Sequence, residues 1–152
     1  MRNPMTRRAG FAGLAVASIV ILAGCGTGGS TAEGPTALTE LGEPEGAVSI
    51  LAWPGYVEDG TNYPEYDWVS GFEAETGCMV TTKTYGTSDE AVSLMKTGDY
   101  DVVAASGDAS LRMMVAGDVQ PVNTDLVPAY AGIYEFLKNQ SHNTYKEQSY
   151  GV

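Results

Sequence analysis

From Val48 onward, short apolar runs alternate with longer mixed stretches of helical period. Val48-Ser49-Ile50-Leu51-Ala52-Trp53 is a mostly apolar run with a β-branched start, closed by Pro54-Gly55. It reads as a buried strand. Asp59 to Pro64 is loop. Tyr66 to Thr76 predicts a helix with Trp68, Val69, Phe72 and Thr76 on one side and Gly77 placed to cap its C-terminus. Cys78 to Tyr85 is β-prone. Thr87-Ser88-Asp89-Glu90 matches a capping box, and the helix it opens carries Val92, Leu94 and Met95 and stops at Gly98. Tyr100 to Ala105 is a short buried strand. Ser106-Gly107-Asp108 turns into a third helix, with Leu111, Met114 and Val115 at i, i+3, i+4 and Gly117 at its end. A short strand at Val119–Val122 and a weak helix at Ile133–Lys138 complete the pattern, followed by an irregular tail. The order β-α-β-α-β-α-β implies an α/β domain with a mainly parallel sheet flanked by helices. Tyr150-Gly151-Val152 reads as a strand cut short, so the expected unit is a fragment of a longer protein.

The first residues follow another logic. Arg2, Arg7 and Arg8 precede an apolar run from Phe11 to Leu22 that is short for a membrane span. It ends in Leu22-Ala23-Gly24-Cys25, which resembles a bacterial lipobox. Residues 1–24 are therefore expected to be a lipoprotein signal peptide. The resemblance implies cleavage before Cys25 and lipid on that residue, with several acyl chains giving stable anchoring at roughly 0.8 kcal/mol per buried CH₂. Thr6-Arg7-Arg8 leaves the export route open between the general and the twin-arginine pathways. Residues 25–46 are rich in Gly, Ser, Thr, Pro and Glu and read as a flexible tether of roughly 25 Å r.m.s. span. Residues 47–152 are the folded lobe. With Cys25 committed to lipid, Cys78 is left unpaired within the chain.

Charge narrows the partners. The chain carries 19 Asp+Glu against 8 Lys+Arg, a formal net charge of −11. Three of the eight bases lie in the first eight residues, so the remainder is more acidic still. Such a surface repels phosphate backbones and argues against nucleic-acid binding, while it suits soluble cations.

Candidate chemistry sits where strands end, because open α/β sheets bind ligands at the carboxyl edge. Trp53-Pro54-Gly55-Tyr56 follows the first strand, and its rings can attract ammonium groups by about 0.5–2 kcal/mol each. The plainer reading makes Trp53 a core closer and Tyr56 a surface residue. Ser106 and Asp108 follow another strand and can offer a hydroxyl and a carboxylate to a cation. The plainer reading makes them helix caps. The capping box accounts for Thr87 and Glu90 without a ligand. Catalytic readings are poorly supported. His142 is the only histidine and stands in the tail without metal-ligand spacing. Ser106 lacks a nucleophile-elbow context. No phosphate-binding glycine loop is present, and Met113-Met114 reads as core. No cofactor is called for.

Beyond these single motifs, a series stands in order along the chain. It comprises Ala52-Trp53-Pro54-Gly55-Tyr56, Tyr66-Asp67-Trp68-Val69, Phe72-Glu73-Ala74-Glu75-Thr76-Gly77-Cys78, Gly86-Thr87-Ser88-Asp89-Glu90, Tyr100-Asp101-Val102-Val103, Ala105-Ser106-Gly107-Asp108-Ala109-Ser110-Leu111 and Val122-Asn123-Thr124. It resembles the N-terminal lobe of the spermidine/putrescine-type substrate-binding proteins of ABC importers, over about Val48 to Val152. The resemblance implies a periplasmic-binding-protein-like lobe whose second lobe is missing, and a polyamine held between lobes by aromatic rings and carboxylates. The family's Trp-x-x-Tyr falls on Trp53 and Tyr56, and its Pro-Ser-x-Tyr turn falls on Ala105-Ser106-Gly107-Asp108, so Ser106 matches. Asp108 replaces an aromatic residue of the spermidine binders. The implied partners are a polyamine-like cation, ABC permease subunits and, through Cys25, a membrane. The implied location is extracytoplasmic. The alternatives are a binding protein for a ferric ion or another organic cation, and a lipid-anchored serine hydrolase using Ser106.

Overall fold

The computed structural model describes residues 34–152. The expected signal peptide, Cys25 and the first part of the expected tether lie outside the described residues.

The centre of the fold is a parallel sheet of three strands in the order β2-β1-β3. Strand β1 is Ala47–Ala52, β2 is Met79–Thr84 and β3 is Val102–Val103. Register runs from Ala47↔Met79 to Ala52↔Thr84 on one side of β1 and through Ile50↔Val102 and Leu51↔Val103 on the other. Helices α1 (Val69–Thr76), α2 (Ser88–Met95) and α3 (Gly107–Ala116) connect or follow the strands. The α/β reading and the parallel sheet hold. Among the described residues no helix is long and apolar enough to cross a membrane.

The core is one-sided. Leu51, Tyr85, Ala91, Val92, Met95, Ala109 and Met113 form its buried cluster, drawn from β1, the end of β2, α2 and α3. On α1 only Val69 is buried, and Trp68 and Phe72 remain 44% and 38% exposed. The helix face expected to pack is thus mostly at the surface. Helix α1 also starts later than expected. Asp67 Oδ1 accepts a hydrogen bond from the Ser70 amide at 2.9 Å, and Asp67 itself is extended. A side chain that takes the first free amide fixes the helix start after it. The residues Pro64–Tyr66 form a separate 3-10 turn.

Helix α3 turns inward on Ala109, Met113 and Met114, while Leu111 and Val115 are exposed. The small side chain of Ala109 lets the helix approach closely, and the 109–113 stripe wins over the larger residues. Gly77 and Gly117 end α1 and α3 in the left-handed region, at φ 72° and 77°, where a Cβ carries a penalty.

Beyond α3 the expected strand at Val119–Val122 is absent. Pro121 has no amide to donate, and one bond, from the Val122 amide to the Ser149 carbonyl at 2.8 Å, is what joins this stretch to the tail. In place of the weak helix expected at Ile133–Lys138 stands one 3-10 turn, Glu135–Leu137, and two more, Thr124–Leu126 and Pro128–Gly132, precede it. Strands β4 (Thr144–Tyr145) and β5 (Gln148–Ser149) pair antiparallel in a short hairpin, and Tyr150 continues as coil. Within residues 34–46, expected to be tether, the Thr36 and Leu38 carbonyls accept bonds from Gln120 Nε2 and Asn123 Nδ2 at 3.1 and 3.0 Å. The chain lies against the lobe there.

Candidate functional site

All three parallel strands deliver a loop to the same edge of the sheet. After β1, Tyr56 N donates to the Trp53 carbonyl at 3.2 Å, with Gly55 at φ 85°. Proline then glycine at the two central positions is what such a turn requires. Trp53 is half-buried and packs on the core, while Tyr56 is 65% exposed. The plainer reading of Trp53 therefore accounts for part of its position. Its ring lies 4.5 Å from that of Tyr85, tilted by 49°. Tyr85 follows β2, is 3% exposed, and donates its hydroxyl to the Ala104 carbonyl at the end of β3. One aromatic side chain thus ties together the ends of all three strands.

Ser88, Ser106 and Asp108 meet beside it. Ser106 Oγ donates to Asp108 Oδ1 at 2.8 Å, and Ser88 Oγ donates to the same oxygen at 3.2 Å. The two hydroxyl oxygens are 2.9 Å apart. Ser106 occupies the N-cap position of α3, yet its side chain makes no capping bond. The hydroxyl faces Asp108 instead. At α2 one half of the capping box forms, with Thr87 Oγ1 accepting from the Glu90 amide at 3.2 Å, while Glu90 Oε2 reaches one residue further back and accepts from the Gly86 amide at 2.9 Å. Ser88, between the two box residues, is left to reach the cluster.

The hydrogen bond from Ser106 is the main cause that holds the exposed Asp108 carboxyl below its usual pKa, with some loss of hydration opposing it and Ser88 adding to it. Asp108 is therefore an anion at neutral pH. Among the described residues no Lys or Arg lies within ion-pair distance of it. Burial first, and then the charges of Tyr56 and Asp108, push the Tyr85 phenol above its usual value. Expected residues Tyr56, Ser106 and Asp108 and the unexpected Tyr85 and Ser88 thus share one electrostatic neighbourhood, with the tilted Trp53 ring packed against Tyr85.

A lowered carboxyl pKa contributes stability that is present above the usual carboxylate value and is lost as pH falls through the lowered one. Ser106→Ala should move the Asp108 titration up toward the ordinary range, read from its carboxyl ¹³C shift. An unchanged titration would show that the hydroxyl does not set it.

Two further features lie close by. A cavity of about 510 Å³ opens beside β3, lined by Tyr56, Val103, Ala105, Met113, His142 and Tyr150 among others. Of the expected site residues it takes Tyr56 alone, and its walls are mainly apolar, so the edge cluster is the better candidate for a cation. The tail also brings His142 against the start of α3, where a Cβ on Gly107 would sit 2.9 Å from His142 Cβ. Nothing in the order of residues announced that contact. Among the described residues no group of three His, Cys, Asp or Glu side chains is placed to hold a metal ion.

The sequence matches no protein-family model. The fold does have solved counterparts. A spermidine/putrescine ABC transporter substrate-binding protein, PotD, from Streptococcus pneumoniae superposes with a TM-score of 0.55 at 22% identity, over 64% of this chain. A putative spermidine/putrescine ABC transporter from Listeria monocytogenes gives 0.56 at 17% identity, again over 64% of the chain. Over the matched residues the chain shares the fold of part of those two structures. The chain spans 28% and 29% of the length of those two structures. In this fold Trp53, Tyr56, Ser106 and Asp108 stand at the carboxyl edge of the sheet.

Proposed function

We propose that the chain is the ligand-facing N-terminal lobe of an extracytoplasmic solute-binding protein that captures polyamine-like cations for an ABC importer. It works by capture, not catalysis. The observation that carries the reading is the convergence at one sheet edge. An ionised carboxylate, Asp108, without a basic partner among the described residues, lies with two hydroxyls beside the aromatic set Trp53, Tyr56 and Tyr85. Rings take the methylene chain and the ammonium face, and the oxygens accept N–H bonds. A second lobe would close over the ligand, and the closed form would dock on permease subunits. The ferric-ion alternative has less support, because the cluster offers one carboxylate and two neutral hydroxyls.

Spermidine titrated into the chain should shift NMR signals at residues 53–56, 85–88 and 105–108. Shifts spread evenly over the acidic surface would overturn the site. The hydrolase reading is favoured only by the proximity of His142 to Gly107. Ser106 donates to Asp108 Oδ1 and not to that histidine. A serine-directed phosphonate should leave Ser106 unlabelled, and labelling would restore the hydrolase.

The lipobox supports an anchor at Cys25. Expressed in a bacterial host, the mature chain should begin at Cys25 and carry acyl groups in the mass spectrum of the membrane fraction. Cys25→Ala should abolish both. A mature chain beginning elsewhere would remove the anchor from the proposal.

A further inference from the structure

Between Trp53 and Gly77 the chain carries six carboxylates and no Lys or Arg. In the same stretch four rings stand at the surface: Tyr63 is 54% exposed, Tyr66 65%, Trp68 44% and Phe72 38%. They form two pairs. Tyr63 and Tyr66 are 6.2 Å apart between centroids, and Trp68 and Phe72 are 6.4 Å apart. Along the chain Asp67 alone separates the pairs, and Glu65 lies between Tyr63 and Tyr66.

This surface is held in shape. The Trp68 and Val69 amides both donate to the Glu58 carbonyl, at 3.2 and 3.3 Å. Gly60, at φ 81°, lies so close to Asp67 that a Cβ there would meet Asp67 Oδ2 at 3.0 Å. Asp67 in turn fixes the start of α1 through Ser70. The rings therefore sit on a defined loop and helix start.

The charges are uncompensated. The ion pairs of the described residues are Lys96–Asp118, Arg112–Asp89 and Lys138–Glu135, and none involves a carboxylate of this stretch. Glu73 is committed to the Val80 amide at 2.7 Å. Threonine and serine bonds hold Asp59 and Asp67 below the usual carboxylate range, so both are anions at neutral pH. Rings interleaved with carboxylates are the surface a guanidinium fits, by stacking and by forked hydrogen bonds. The same charge repels nucleic acid and anionic lipid headgroups.

Shape decides between a free cation and a protein. Neither the 510 Å³ cavity nor the smaller one of about 280 Å³ is lined by any of the four rings. A small ligand on such an open surface keeps most of its water, whereas a good pocket buries about 70–90% of it. A protein partner brings its own second wall. We propose that the Tyr63–Phe72 surface docks an Arg- or Lys-bearing segment of a partner protein, with the basic groups set on the four rings and paired with Glu65 and Asp67. The docking surface does not depend on which solute the sheet edge takes.

A short Arg-rich peptide, and a counterpart with Glu in place of Arg, test it by NMR on the ¹⁵N-labelled chain. The Arg peptide should move amides of residues 63–76, and the Glu peptide should move none. Tyr66→Ala with Trp68→Ala should weaken the Arg peptide about tenfold. Glu65→Gln changes an exposed carboxylate with no fold contact and should weaken it about threefold. That variant decides the matter if the aromatic double variant unfolds. Tyr134→Ala with Phe136→Ala, at another exposed ring pair, should change nothing. Shifts scattered over the surface, or full affinity in the Glu65 variant, overturn the proposal. So does spermidine moving the same amides as strongly as the peptide at equal charge, which would make this a small-cation site.

Discussion

Replacing Tyr85 with alanine should destabilise the lobe by about 3–5 kcal/mol, the range for truncating a large buried aromatic. Its ring belongs to the buried cluster, supports Trp53 and carries the hydroxyl that holds the Ala104 carbonyl. Removing it opens a cavity under the site and frees the ends of β1 and β3 together. Tyr85→Phe keeps the ring and loses the hydrogen bond, so about 0.5–1.5 kcal/mol should suffice there. The phenol pKa is raised in the fold. The stability it contributes is present below the usual phenol value and is lost as pH rises through the raised one. Urea unfolding followed by circular dichroism measures each variant. Tyr85→Phe should also lose part of the alkaline sensitivity of the parent. If Tyr85→Ala unfolds within about 1 kcal/mol of the parent, the ring is not the support described here.

Spermidine should bind the chain weakly, with a Kd of roughly millimolar or higher. One exposed ion pair to Asp108 contributes about 0–1 kcal/mol, and a cation–π contact on Tyr56 about 0.5–2 kcal/mol. Together they fall short of the roughly 4 kcal/mol that corresponds to a millimolar Kd. Tyr56 is 65% exposed and Asp108 is also at the surface, so water competes at both. Calorimetry of the chain alone measures this. Linked to a second lobe that completes the pocket, the same edge should bind orders of magnitude more tightly, and Trp53→Ala should then weaken binding by about 1–3 kcal/mol. Micromolar binding by the chain alone would show that one lobe suffices.

Local chemistry was legible in the order of residues, and tertiary choice was not. The first strand, found at Ala47–Ala52 one residue before the expected Val48–Trp53, the Thr87 cap and the left-handed glycines at 77 and 117 each depend on a few neighbours. The site divides in the same way. That Trp53, Tyr56, Ser106 and Asp108 follow strands could be read from apolar runs ending in turns. That Ser88 would join Ser106 and Asp108 could not, because it comes from another helix, 18 and 20 residues away. Ser88 had one signal, a hydroxyl inside the capping box with no duty of its own. The exposed stripe Trp68–Phe72 has the spacing of a buried one. Amphipathic period says which residues share a face and not what covers it. The inward stripe of α3 follows Ala109 for a reason of size that periodicity does not weigh.

The strand order has a consequence for the timing of folding. Ser49 is bound on one side to Thr81, 32 residues away, and on the other to Asp101, 52 residues away. Every pairing in the central sheet waits on a long crossover, and parallel sheets built this way fold slowly because the loop entropy comes due before the contacts form. During synthesis β1 leaves the ribosome first of the three strands and has no partner until β2 has followed. Its run Val48–Leu51 is a sticky segment for that interval, which makes it the part of the chain that a chaperone or an export factor should meet first.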